Sequence, residues 1–197
     1  MHNKDYVTLN KSVYLECLSK NGDSHLSLNW GSKDSQDKRF KALIDVAQNI
    51  FVSNILDVGC GLGHFLDFLL TKGFHGNYTG SDILEEMIAM AKIRHTNSMF
   101  EVKNLSSYSS HSYDYVFMSG IFTLADEKIF KEMVSMAFDV CAKGLAFNSL
   151  STWAPQKEDN EFYADPLKTL EFCSKLTPKV VLKHEYLPHD FTIYMYK

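Results

Sequence analysis

Ile55-Leu56-Asp57-Val58-Gly59-Cys60-Gly61-Leu62-Gly63-His64-Phe65 is the stretch on which the fold turns. An apolar run opens it, three alternate glycines follow, and Phe65, Leu66, Phe68, Leu69 and Leu70 then recur at helical spacing. We read a buried strand over 54–59, a tight loop, and a helix over 64–72 closed by Gly73 at a C-cap position. A strand that passes through glycines into a helix N-terminus exposes backbone N–H groups, and the missing Cβ atoms let a ligand approach closely. Spacing narrows the ligand. A dinucleotide loop is G-x-G-x-x-G and would need glycine at position 64, where His64 stands; here the pattern is G-x-G-x-G. That speaks against a nicotinamide-dependent oxidoreductase. Asp82, at the end of the second expected strand and 25 residues beyond Asp57, is placed to accept hydrogen bonds from both ribose hydroxyls of an adenosine lying across the strand ends.

Outward from this loop the chain alternates short apolar runs with amphipathic stretches, the signature of an α/β fold. Further strands are expected over 78–83, 99–102, 114–118 and 145–148, with helices over 85–94 and 126–142, the second stopped by Gly144. Another helix, over 166–176, starts with Asp165 as N-cap and Pro166 at its first position. Residues 180–184 and 191–196 alternate with period two around a turn containing Pro188, so they form an antiparallel hairpin. Two helices are expected before the first strand, over about 5–20 and 36–50. The polar segment 153–165 reads as an insertion over the site. One domain is expected over 1–197, with 1–50 as an N-terminal helical segment and 51–197 as the core.

The 197 residues are 45% hydrophobic and 22% charged, an ordinary globular balance. A formal net charge of −4 and scattered basic residues, with Lys38, Arg39 and Lys41 as the densest group, disfavour nucleic acid as a partner. Cys17, Cys60, Cys141 and Cys173 lie far apart, with neither metal-ligand spacing nor a disulfide framework. Cys60 falls in the glycine loop and Cys141 in an apolar helical run. No apolar signal-like start and no span of about 18 apolar residues is present, so a cytoplasmic enzyme without membrane association is expected. No metal is expected, and the oligomeric state stays open.

Leu56-Asp57-Val58-Gly59-Cys60-Gly61-Leu62-Gly63 resembles motif I of the class I, Rossmann-like methyltransferases that depend on S-adenosyl-L-methionine (SAM). Gly80-Ser81-Asp82-Ile83 resembles the acidic motif that follows it, and Tyr113-Asp114-Tyr115-Val116-Phe117 the family's fourth strand. The resemblance covers roughly residues 36 to 197. It implies a three-layer fold with a seven-stranded, mostly parallel sheet of order 3-2-1-4-5-7-6, strand seven antiparallel and helices on both faces. It also implies SAM as cofactor and S-adenosyl-L-homocysteine (SAH) as product.

Carried across by position, the resemblance assigns Gly59, Gly61 and Gly63 to the methionine moiety and ribose, and places Asp57 and Cys60 in the cofactor site with them. Asp82 takes the ribose hydroxyls and Ile83 packs on the adenine. Asn104 and Leu105 stand in the next strand-end motif, with Asn104 where the family usually has Asp. Ser119 lies beside the sulfonium centre. Arg39 reads two ways: a planar fork for a carboxylate of the cofactor or of an acidic substrate, or part of a solvated helix face. Trp30, Gln36, Asn148, Trp153 and His189 are candidates for the acceptor pocket, each with a structural reading beside it.

The histidines, His64 and His184 included, weigh toward surface or structural roles, and no catalytic base is assigned. No Asn-Pro-Pro-Tyr signature follows the fourth strand, where Ser119-Gly120-Ile121-Phe122 stands. Clustered acidic residues of a metal-dependent catechol site are also missing. A small molecule is therefore the expected acceptor. The other reading is a SAM-binding protein without catalysis that serves as a partner subunit.

Overall fold

The computed structural model describes residues 3–28 and 32–197, the side chains of residues 3, 4, 25 and 28 excepted. Seven strands are present: β1 (Asn54–Val58), β2 (Asn77–Asp82), β3 (Met99–Val102), β4 (Tyr113–Met118), β5 (Cys141–Leu150), β6 (Val180–Leu187) and β7 (Asp190–Tyr196). They pair in the order β3-β2-β1-β4-β5-β7-β6. All neighbours are parallel except β7, which runs antiparallel to both β5 and β6. Strand order and the antiparallel β7 are those the resemblance implied.

Strand alternation splits the core in two. Ile55, Tyr115, Phe117 and Ala146 face one layer, built with α2 (Lys33–Ile44), α3 (His64–Thr71) and α4 (Glu85–Arg94). Leu56, Val116, Met118, Leu145 and Phe147 face the other, built with α5 (Glu127–Val140) and α6 (Pro166–Leu176). Central strands covered on both sides have no solvent-facing side, which is why β1 and β4 are mostly apolar, with Asp57 and Asp114 as the charged exceptions. The remaining helix, α1 (Asn3–Asn21), sets Tyr14 and Leu18 against Leu62, Leu84 and Met87.

Local signals act as read. Gly73 is left-handed (φ +87°), its N–H reaches Leu70 O, and Phe74 N–H reaches back to Leu69 O, the Schellman closure of α3. The Asp126 carboxylate caps α5 at Ile129 N–H, and the Asp165 carboxylate caps α6 at Leu167 and Lys168 N–H. Two boundaries differ. The second N-terminal helix runs Lys33–Ile44, its start set by Ser32, which accepts from Ser35 N–H, and a separate 3-10 segment, Gln48–Val52, follows it. The helix expected to reach Ala142 stops at Val140, and Cys141 opens β5, which continues through Gly144. Pairing of Cys141–Gly144 with β4 on one side and of Gly144 with Tyr196 on the other outweighs helical propensity. Gly144 is thus a strand residue, with the Tyr115 ring 3.2 Å and the Met195 carbonyl 3.3 Å from where a Cβ would stand.

No helix among the described residues is long and apolar enough to cross a membrane.

Candidate functional site

Parallel pairing of Asp57 with Gly80 and of Val58 with Ser81 brings the ends of β1 and β2 side by side. The glycine loop leaves β1 with Gly59, Gly61 and Gly63 all in the left-handed region (φ +71°, +52° and +81°). Four of its N–H groups are consumed internally. Those of Gly59 and Cys60 donate to Ser81 O (2.7 and 3.0 Å), that of Gly63 to Cys60 O (2.9 Å), and that of Gly61 to Asp82 Oδ2 (3.0 Å). The loop is therefore built for close approach rather than for donating to a phosphate, in keeping with a ligand that carries none.

Asp82 Oδ1 accepts a second backbone donor, Leu84 N–H, at 3.0 Å. Burial raises the Asp82 carboxyl above its ordinary range, and the Leu84 and Gly61 donors pull it back in part. Asp57, 2% exposed, accepts from the Tyr78 hydroxyl at 2.6 Å. Burial pushes it up to about 7, the Tyr78 bond opposes this, and the Asp82 charge adds to it.

A cavity opens above these groups. Asp57, Gly59, Cys60, Gly61, Asp82 and Ile83 line it, joined by Asn104 and Leu105 beyond β3 and Ser119 beyond β4. Every one of these was expected from the sequence. Two expected partners are elsewhere. Gly63 turns its bare Cα away, and a Cβ there would stand 2.9 Å from the His95 ring and 3.1 Å from Phe100, so this glycine serves packing. Arg39 is held in a buried ion pair, Nε 2.8 Å from Asp190 Oδ2, which ties α2 to the start of β7. It is neither a free carboxylate fork at the cavity wall nor part of a solvated face.

The acceptor candidates also part ways. Trp30 lies outside the described residues. Asn148 Oδ1 accepts from Gly120 N–H (3.2 Å) with Ser119 Oγ nearby (3.4 Å), so it braces the loop after β4 from beneath. Trp153 is half exposed and packs on the His184 ring, centroids 4.9 Å apart, against the edge hairpin. His189 sits in the β6–β7 turn, where its carbonyl accepts from Ser151 N–H. Burial first, and Arg39 second, lower its imidazole below the usual range. Gln36 is fully buried beside His64, itself a cavity residue. The 153–165 segment docks on the loop after β4 through Phe162 N–H to Thr123 O (2.8 Å) and adds no residue to the cavity wall.

A methyltransferase domain model matches residues 55–144, the span from β1 to the middle of β5. A protein of Mycobacterium tuberculosis named as a methyltransferase, Rv1506c, is 30% identical over 154 residues, 73% of this chain and 93% of that one. The chain belongs to the methyltransferase family. Solved structures share its fold at lower identity. Magnesium protoporphyrin IX methyltransferase of Synechocystis superposes with a TM-score of 0.70 at 13% identity over 98% of this chain and 100% of that one. A SAM-dependent methyltransferase of Leishmania major gives 0.74 at 13% identity over 98% and 83%.

SAM is the cofactor of this family, and the residues present fit it. A carboxylate held by two backbone donors keeps lone pairs for ribose hydroxyls. Ile83, Leu84, Met87 and Leu105 supply an apolar slot for a purine. The Gly59 Cα lies so near the loop after β4 that a Cβ would meet Ile121 Cγ2 at 2.2 Å, which leaves no side chain between loop and ligand.

The cavity has one wall the sequence reading did not resolve into residues. Tyr6, Asn10 and Tyr14, at i, i+4 and i+8 on one face of α1, close over the cavity. That spacing was legible; the surface it would face was not. The Tyr6 hydroxyl donates to Ile121 O at 2.7 Å, latching α1 to the loop after β4. Tyr6→Phe deletes the latch while keeping the ring. Amide exchange across residues 3–21 should then speed up by roughly 3- to 10-fold, the worth of one such bond. Unchanged exchange would mean that α1 is held by packing alone.

Proposed function

We propose that this methyltransferase moves the methyl group of SAM to a small-molecule acceptor, by in-line displacement, inside the cavity under α1. The observation that carries the reading is the Asp82 carboxylate, fixed by Gly61 and Leu84 N–H at the mouth of a left-handed glycine loop. Bound there, SAM supplies a methyl group on a positively charged sulfur, an already activated leaving group.

The chain's own residues supply position, field and dryness. Asp82 orients the ribose and thereby the rest of the cofactor. Asp82 and the ionised form of Asp57 give the cavity a negative field suited to a cationic sulfonium, while burial, which raises both carboxyls, works against that charge until a cation binds. Ser119 and Gly120, braced by Asn148, form the wall beside the reacting carbon. α1 covers the opening and excludes water, and an opening so covered suits a compact acceptor better than a macromolecular surface. The Synechocystis neighbour is named for a small-molecule acceptor, which supports the same reading.

The test is release of SAH from methyl-labelled SAM with a panel of small acids, alcohols and amines. Acceptor-dependent release supports the proposal. Tight SAM binding with no transfer to any class would favour a cofactor-binding partner subunit instead.

A further inference from the structure

α1 rests on the cavity by its apolar middle, where Tyr14 and Leu18 pack on Leu62, Leu84 and Met87. Near its start the Tyr6 hydroxyl holds Ile121 O. Beyond its end the fastening is ionic. Asp23 pairs through Oδ2 with Arg94 Nη1, and its Oδ1 accepts from His64 Nε2 at 3.2 Å. Arg94 turns the rest of its fork to a second carboxylate, with Nε 2.7 Å and Nη2 2.5 Å from Asp67 Oδ2.

One guanidinium thus joins three elements. α3, which carries Asp67, starts at His64 directly after the glycine loop. α4, which carries Arg94, starts directly after the loop whose Leu84 N–H donates to Asp82. Both helices spring from the segments that line the cavity, and His64 lines it too. Asp23 is where the cover of the cavity is tied to the pair of them.

The tie holds without locking. Arg94 is 34% exposed and Asp23 47%, so salt ions reach both groups. Exposed pairs of this kind are individually weak and are screened as salt rises. A planar fork shared between two carboxylates is the geometry in which an exposed network does contribute. A fastening of that strength suits a cover that must open whenever a ligand is exchanged.

We infer that Asp23, Arg94 and Asp67 form a salt-sensitive clamp that keeps α1 over a bound nucleoside and sets how fast it leaves. None of the three lines the cavity, so they act as positioning residues, through α1 and the starts of α3 and α4. The inference rests on the cavity being the methyltransferase site.

The test uses the full chain loaded with labelled SAH and chased with excess unlabelled SAH, at about 0.01 M and about 1 M salt. Between these the Debye length falls from about 30 Å to about 3 Å. At low salt Asp23→Asn should release SAH about 3- to 10-fold faster than the wild type. High salt should speed wild-type release by a similar factor and leave Asp23→Asn nearly unmoved. A salt effect on the ligand itself acts on both proteins and drops out of the comparison.

Arg94→Lys keeps the charge but not the fork, so its release rate should fall between the two. Glu16→Gln removes a charge that pairs with Lys20 on the same helix, and should release SAH at the wild-type rate. Asp23→Asn should melt within a few degrees of the wild type, which separates a lost clamp from a lost fold. Equal release from Asp23→Asn and the wild type at low salt, or an equal salt response in both, overturns the inference. α1 would then be held by packing and the Tyr6 bond. A wild type that binds no SAH is a different outcome and overturns the cofactor reading itself.

Discussion

Asp82→Ala should lower the affinity for both SAM and SAH at least about 100-fold while the protein stays folded. Two ribose hydroxyls on one carboxylate are charge-assisted bonds worth roughly 1.5–3 kcal/mol each, and every 1.4 kcal/mol is tenfold. The side chain also ties the glycine loop to β2 by accepting from Gly61 and Leu84 N–H. Its loss therefore loosens the cradle as well as removing a contact. The effect on stability is smaller, because two freed N–H groups are set against release of a buried carboxylate that burial disfavours. A shift of a few degrees in melting temperature is the expected scale. Asp82→Asn keeps one acceptor for the two backbone donors and loses the charge, so its affinity should fall between the others. Calorimetric titration reads all three. Wild-type affinity in Asp82→Ala would remove the observation on which the proposed function rests.

The second large effect belongs to Asp57, whose carboxyl burial pushes up to about 7. Its unfolded value is about 3.9, so between roughly pH 4 and 7 the folded state holds a proton that the unfolded state has lost. Stability contributed by this group therefore falls as pH rises through that window and levels off above it. Asp57→Asn keeps an acceptor for the Tyr78 hydroxyl without the buried charge. At pH 8 the variant should be more stable by about 2 kcal/mol, and near pH 4 the gain should vanish. Asp190, raised to about 6 by burial, slopes the same way in both proteins and cancels in the difference.

Binding runs opposite to stability. A cationic cofactor favours the ionised carboxylate, so wild-type SAM affinity should rise as pH climbs through about 7. The rise should be weaker for SAH, which lacks the sulfonium charge. In Asp57→Asn it should flatten, apart from the share owed to Asp82. Denaturant melts and titrations at pH 5, 6, 7 and 8 check both halves. A variant that gains no stability at pH 8 would mean that the charge at Asp57 is better compensated than its burial implies.

Much of this site was legible in the chain because its parts are local or follow from regular pairing. A short run carrying Ile55, Leu56 and Val58, glycines at alternate positions and a helical repeat read as a strand, a sharp loop and a helix. Once β1 and β2 pair in parallel, register alone carries Asp82 to Gly61. The nine cavity residues expected from the strand ends follow from the same rule, since all of them sit within a few residues of a strand terminus.

What the sequence by itself determined, then, is the order of elements, while the sheet in which they pair and the face of the candidate cofactor residues are what the family resemblance implied. Periodicity and turn chemistry act over a few residues and survive any detail of packing. Tertiary structure alone decided which way Gly63 faces, that Arg39 is spent on Asp190, and that Trp153 belongs to the edge hairpin. It also decided that Tyr6 reaches Ile121 across the cleft, and that Asp23 meets His64 and Arg94. Each of these depends on the angle and separation of two packed elements, which one repeating pattern of apolar residues leaves undetermined.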